Sequence, residues 1–109
     1  MSQTNGFIGR CICAVCRTEV DVVFQAHVGL LDDEVFAPGE DVFGRATNKK
    51  RPVYGPTYDL REGSFWAYGV GECSCCRTEL WGKVVVRGGR FDSVTLVPPP
   101  ENALDWGEL

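Results

Sequence analysis

The eight residues Cys13-Ala-Val-Cys-Arg-Thr-Glu-Val20 return 60 positions later as Cys73-Ser-Cys-Cys-Arg-Thr-Glu-Leu80. No other feature limits the fold as strongly. A Cys-x-x-Cys turn aims two sulfurs at one point, and two such turns supply the four donors of a closed tetrahedral metal site. The chain therefore has to bring together two turns that are separated by 56 residues. A protein of 109 residues buries only a modest core and commonly adds a staple to it.

The flanks repeat as well. Aligning the cysteines places Gly9 on Gly69, and a short glycine-containing apolar segment precedes each turn: NGFIGRCI and SFWAYGVGE. Each turn is followed by alternation of period two, which marks a half-buried strand. Val20, Val22, Phe24, Ala26 and Val28 share one face, with Asp21, Val23, Gln25 and His27 on the other. Leu80, Gly82, Val84 and Val86 share a face in the second copy, opposite Trp81, Lys83, Val85 and Arg87. Gly88-Gly89 then predicts a two-residue hairpin turn into RFDSVTLV. Glycine and proline interrupt nearly every window that would otherwise support a helix. The expected fold is mostly β: two strand–knuckle–strand halves around one four-cysteine metal site, forming a single domain over residues 1–97.

A central insert, residues 29–64, separates the halves and is too long for a bare connection. It divides by charge. Asp32, Asp33, Glu34, Glu40 and Asp41 come first, followed by Arg45, Lys49, Lys50 and Arg51. Val35, Phe36, Val42 and Phe43 are placed to anchor it, which predicts one or two short strands and an exposed loop over 45–51. The tail, residues 98–109, opens with three prolines. It is expected to leave the sheet as an extended, acidic, Pro-rich segment with Leu104 and Trp106 available for docking.

The N-terminus lacks the apolar run of a secretory leader, and no stretch approaches the roughly 20 apolar residues of a membrane span. This predicts a cytoplasmic protein whose thiols stay reduced. In such a compartment two Cys-x-x-Cys pairs indicate metal before disulfides. The expected ligands are Cys13, Cys16, Cys73 and Cys76, holding one structural Zn²⁺, with iron as the alternative at the same sulfurs. The pattern resembles the zinc-ribbon and rubredoxin-like group, in which two knuckles, each on a β-hairpin, clasp one metal. The resemblance covers the two motifs and their flanking strands. That group usually carries Gly after the second cysteine of a knuckle, where this chain has Arg17 and Arg77. A metal centre with four thiolates is a dianion, which the two guanidinium groups are expected to offset, with Glu19 and Glu79 as their pairing partners. Cys11 and Cys75 align with Gly71 and Val15, outside the repeat. With His27 they are too few for a second tetrahedral site. They are expected to behave as small hydrophobes, with a redox role beside the metal as the alternative.

A closed four-cysteine site leaves no open position for catalysis. His27, the single histidine, sits outside any metalloprotease or deaminase frame, so no enzyme is expected. The formal net charge is −4, and four thiolates on one Zn²⁺ lower it to about −6. That balance opposes phosphate-driven nucleic-acid binding and suits a basic protein partner. The resulting expectation is a zinc-stabilised protein-interaction module: a small acidic inhibitor, immunity-type or regulatory protein. Its contacts would fall on Asp32, Asp33, Glu34, Glu40, Asp41 and Trp106. One alternative is nucleic-acid binding through Lys49, Lys50, Arg51, Lys83, Arg87 and Arg90, interleaved with Tyr54, Trp81 and Phe91. Another is a thiol or iron redox protein.

Overall fold

The computed structural model describes residues 4–28, 35–42, 64–103 and 105–109. Among the described residues, seven strands form one sheet: β1 (Asn5–Ile12), β2 (Glu19–Ala26), β3 (Val35–Phe36), β4 (Phe65–Glu72), β5 (Glu79–Arg87), β6 (Arg90–Val97) and β7 (Trp106–Glu108). The order is β3-β1-β2-β4-β5-β6, with β7 lying against β4. The sequence repeat is a structural one, since β4 starts and ends 60 residues after β1, and β5 starts 60 residues after β2. The β1–β2, β2–β4 and β4–β5 pairs are all antiparallel. Both hairpins therefore run in the same direction, and both knuckles emerge at one end of the sheet.

The period-two faces fold as the sequence implies. Val20, Val22, Phe24 and Ala26 are buried along β2, and Leu80, Gly82, Val84 and Val86 along β5. Phe7, Phe24, Phe36 and Phe65 are fully buried, and Phe91 nearly so. Each such ring contributes on the order of 1.5–3 kcal/mol by leaving water. Phe7 stacks on Phe36 at 5.5 Å and meets Phe91 edge-on at 5.2 Å. The buried amide of Asn5 is satisfied by donating to the Val28 carbonyl at 2.9 Å. The β5–β6 hairpin turns at Gly88-Gly89, with φ of 59° and 77°. Two successive positive φ angles define the turn that matches strand twist, which explains the glycine pair.

The sheet curls into a half-barrel, so β1 and β6 meet across the interior. A Cβ at Gly9 would lie 2.9 Å from Val94 Cβ and 3.0 Å from the Phe24 ring, so only glycine lets the strands approach this closely. Gly71 plays the same part at the seam between the hairpins, where a Cβ would lie 2.8 Å from the Val23 carbonyl oxygen.

The insert contributes more than anchors. β3 pairs in parallel with β1 at Gly6 and Phe7. Gly39 N–H then donates to Phe91 O at 2.7 Å, Phe91 N–H to Glu40 O at 3.0 Å, and Val42 N–H to Gly89 O at 3.0 Å. Residues 35–42 thus bridge one outer strand of the half-barrel to the other. Phe36 and Val42 are buried anchors, whereas Val35 is 44% exposed. Phe43 and the 45–51 loop lie outside the described residues.

The tail departs from expectation. After Pro98–Pro100 the chain does not leave the sheet as a Pro-rich extension. It returns as β7, pairing Trp106 with Ala67, Gly107 with Trp66, and Glu108 with Phe65. The physical reason is a vacant edge. β2 pairs with β4 only at Gln25–Val70 and Ala26–Gly69, which leaves the start of β4 open on that side. β7 fills the gap, and Trp106 packs half-buried against the core.

Candidate metal centre

Each knuckle is a tight turn tied at its neck. Cys13 N–H donates to Thr18 O at 3.1 Å and Arg17 N–H to Cys13 O at 2.7 Å. The second knuckle repeats both bonds, from Cys73 to Thr78 and from Arg77 to Cys73, each at 2.9 Å. Arg17 and Arg77 have φ of 57° and 63°, the left-handed conformation that glycine adopts without strain. The knuckle geometry is therefore kept, and arginine accepts the backbone angle at a steric cost.

The two turns bring Cys13, Cys16, Cys73 and Cys76 together, with all four sulfurs within 4.8 Å of one another. Cys13 Sγ lies 3.7 Å from Cys76 Sγ, and Cys16 Sγ lies 3.7 Å from Cys73 Sγ. A tetrahedron with metal–sulfur bonds of about 2.3 Å has edges of about 3.8 Å. The donor set and its spacing fit a tetrahedral thiophilic ion. Cys13 and Cys73 are fully buried, Cys16 is partly exposed and Cys76 is exposed, so the centre has a closed inner side and a solvent side.

The surrounding dipoles favour thiolate. Cys75 and Cys76 N–H point at Cys73 Sγ from 3.4 and 3.5 Å. Thr18 N–H, opposed by burial and aided by the Thr18 hydroxyl, holds Cys16 down at about 6. The Thr78 hydroxyl, 3.0 Å from Cys76 Sγ, lowers that thiol together with Thr78 N–H. Cys13 behaves in the opposite way. The N–H groups of Cys16 and Val15 pull it down, but burial and the neighbouring sulfurs of Cys76 and Cys16 outweigh them and push it up to about 11. Four adjacent thiols cannot all ionise unaided, and a bound divalent cation is what allows it.

Thr18 and Thr78 are the functional residues that sequence reasoning passed over. Their signal was present, because threonine recurs at the same place in both copies. The acids of the motif bond to other partners. Glu19 pairs with Arg10, and Glu79 accepts from Trp81 Nε1 at 2.8 Å. The expected Arg17–Glu19 and Arg77–Glu79 pairs are replaced by these contacts.

The remaining candidates are scattered. Asp32, Asp33 and Glu34 lie outside the described residues, as do Lys49, Lys50, Arg51 and Tyr54. Glu40 accepts the Ala37 N–H at 2.7 Å, and Asp41 pairs through its backbone with Arg90. Lys83 sits over the Trp66 ring at 4.2 Å, Arg87 lies 3.8 Å from Asp92, and Arg90 donates to Gly39 O at 3.1 Å. Phe91 is 1% exposed, so its ring belongs to the core and is not available for stacking. His27 follows β2 at the end away from the knuckles.

No protein-family model, curated protein or solved structure matches the chain. Its class is set by its own geometry: an all-β protein whose curled sheet carries a four-cysteine clasp suited to a metal ion. Among the described residues no helix is long and apolar enough to cross a membrane.

Proposed function

We propose that the chain is a zinc-stabilised protein-interaction module, a small acidic inhibitor, immunity-type or regulatory protein that binds a basic partner. The observation that carries this reading is the tetrahedral four-sulfur set with two fully buried members. When protein thiolates fill every position, a metal staples a scaffold and leaves no coordination site for a substrate. Zinc fits this role better than iron because it needs no redox partner. Arg17 and Arg77, next to the outer ligands, offset the dianion. Net charge, −4 for the chain and about −6 with the loaded centre, favours a basic partner and opposes nucleic acid. The burial of Phe91 and the engagement of Lys83, Arg87 and Arg90 within the chain weaken the nucleic-acid alternative further.

The contact surface is assigned to Asp32, Asp33, Glu34, Glu40, Asp41 and Trp106. Glu40 also caps its own turn. The test therefore neutralises the others, as Asp32→Asn, Asp33→Asn, Glu34→Gln and Asp41→Asn. Affinity capture with the zinc-loaded chain should recover one stoichiometric basic protein, and the neutralised chain should lose it while keeping its circular dichroism. Single-stranded oligonucleotide should not bind at about 50 mM salt. Diffuse capture, or oligonucleotide binding that falls steeply with salt, would reject the reading.

A further inference from the structure

In the β4–β5 hairpin the side chains that point away from the core form four cross-strand rows. Trp66 stands opposite Val85, Tyr68 opposite Lys83, Val70 opposite Trp81, and Glu72 opposite Glu79. The first three rows are half-buried and the two acids are exposed. Trp66 and Tyr68 meet edge-on at 5.1 Å, and Lys83 Nζ sits 4.2 Å from the centre of the Trp66 ring. Trp81 Nε1 donates to Glu79 at 2.8 Å. The face is an aromatic strip that ends in two carboxylates. The β1–β2 hairpin is its repeat, yet it presents Gly6, Ile8, Arg10 and Ile12 on that side and no ring. The strip is thus a property of the second copy and not of the repeated scaffold.

The acidic end of the strip costs the hairpin stability. Like charges directly opposite each other on neighbouring strands are destabilising, and Glu72 is the register partner of Glu79. The corresponding pair in the first hairpin is Ile12–Glu19, so the scaffold does not require two acids. Departures of this kind from local rules concentrate at functional positions. Beside the acids an open groove of about 520 Å³ follows the seam, with Val23 and Gln25 on one wall and Val70 and Glu72 on the other. Arg77 also lines it. On the metal reading above, the charge of Arg77 is matched by the thiolates, so the two carboxylates are the surplus.

We propose that this strip is a docking surface for an extended, arginine-bearing segment of a protein partner. The proposal rests on the basic-partner reading and gives that partner a second contact area, distinct from the acids assigned above. Charge complementarity selects the occupant. A guanidinium stacks on an aromatic face and bonds a carboxylate through its planar fork, so arginine suits both parts of the strip. Lys83 over Trp66 is the same kind of contact made within the chain. A cation placed between Glu72 and Glu79 relieves their repulsion, so binding is rewarded where the free hairpin is penalised. Single-stranded nucleic acid also stacks on such rings, but its phosphates would meet the two carboxylates.

The test titrates the metal-loaded full chain with a synthetic peptide of alternating arginine and glycine, followed by tryptophan fluorescence and NMR shifts. The Trp81 indole N–H and the Tyr68, Glu72 and Glu79 amides should move. Glu72→Gln/Glu79→Gln should bind about three- to tenfold more weakly. Its thermal midpoint should hold or rise, because the like-charge pair is gone, so lost binding cannot be lost folding. Trp81→Leu should bind about two- to fivefold more weakly. Lys83→Met should bind more tightly, since it removes a competing cation. Asp92→Asn, at the end of the β5–β6 hairpin away from the knuckles, should bind as wild type. Equal affinity in the Glu72→Gln/Glu79→Gln and wild-type chains, or an equal loss in Asp92→Asn, would overturn the proposal. So would oligothymidylate binding that Lys83→Met weakens, or shifts that follow protein concentration alone and mark a contact between copies. The basic-partner reading is judged separately: it stands if affinity capture recovers one basic protein and falls if capture is diffuse.

Discussion

Arg17 and Arg77 offer a way to separate backbone strain from charge at the knuckles. Their φ angles, 57° and 63°, lie at the centre of the left-handed region, where a side chain crowds the following carbonyl. The conformation costs about 1–2 kcal/mol for any residue with a Cβ. Glycine escapes that cost but gives up about 0.5–1 kcal/mol of unfolded-state entropy. Alanine carries the strain without the charge. At each site the glycine variant should therefore be more stable than the alanine variant by roughly 0.5–1 kcal/mol. For a domain of this size, 1 kcal/mol shifts the midpoint by about 4–8 °C, so a gap of about 2–8 °C is expected. The assay is thermal unfolding by far-ultraviolet circular dichroism at one fixed free-zinc concentration, because metal binding also moves the midpoint. The comparison of wild type with alanine reports the guanidinium alone. A glycine variant no more stable than alanine at both sites would refute the strain argument. A large loss of metal affinity in alanine and glycine alike would show that charge, not conformation, selects arginine.

Three further outcomes follow from the same structure. The purified chain should contain one zinc, and Cys13→Ser or Cys73→Ser should abolish both metal and fold; the roughly 10–16 kcal/mol of a structural zinc site is comparable to a domain's whole stability of about 5–15 kcal/mol. Metal analysis with circular dichroism checks this, and a folded, metal-bearing Cys13→Ser/Cys73→Ser chain would exclude it. Gly71→Ala places a methyl 2.8 Å from the Val23 carbonyl oxygen and 2.5 Å from Val22 Cγ1, so overpacking should cost about 1–3 kcal/mol in urea unfolding. Deleting residues 106–109 uncovers the start of β4 and the Trp66 ring that lies against Gly107, so tryptophan emission should shift to the red and the midpoint should fall.

The sequence made the clasp, the two hairpins and the Gly88-Gly89 turn legible because each rests on local spacing. Period two placed Val22, Phe24, Val84 and Val86 inside, and the doubled Cys-x-x-Cys named the four sulfurs. What escaped was long-range. No local pattern shows that Gly39–Val42 will pair with β6, or that Trp106 will find an edge of β4 more than 35 residues earlier, because both depend on which edges the curled sheet leaves vacant. Phe91 was misplaced for a related reason. Its charged neighbours Arg90 and Asp92 suggested an exposed basic-aromatic patch. The turn fixes Val86 opposite Phe91, however, and Val86 points inward, so Phe91 must as well. The repeat of Arg and Thr was visible, but only the positive φ and the Thr hydroxyl bonds explain it.

The seam between the hairpins connects these observations. β1–β2 and β4–β5 are each paired along eight residue positions, yet the two hairpins share only Gln25–Val70 and Ala26–Gly69. Among the strands of eight or nine residues, this is the pairing with the fewest backbone partners. At the knuckle end the clasp holds it, with ligands from both hairpins; at the opposite end β7 fills the gap. Lowering free zinc in a buffered series should therefore open the seam before the hairpins dissolve, since regions of few bonds form low-stability units. Amide hydrogen exchange should show Gln25, Ala26, Gly69 and Val70 losing protection at higher free zinc than the β5–β6 ladder, whose contacts are local and whose turn is preset. Loss of protection at the same free zinc in both regions would mean that the sheet opens as one unit. The metal would then stabilise the domain as a whole and would not specifically staple the seam.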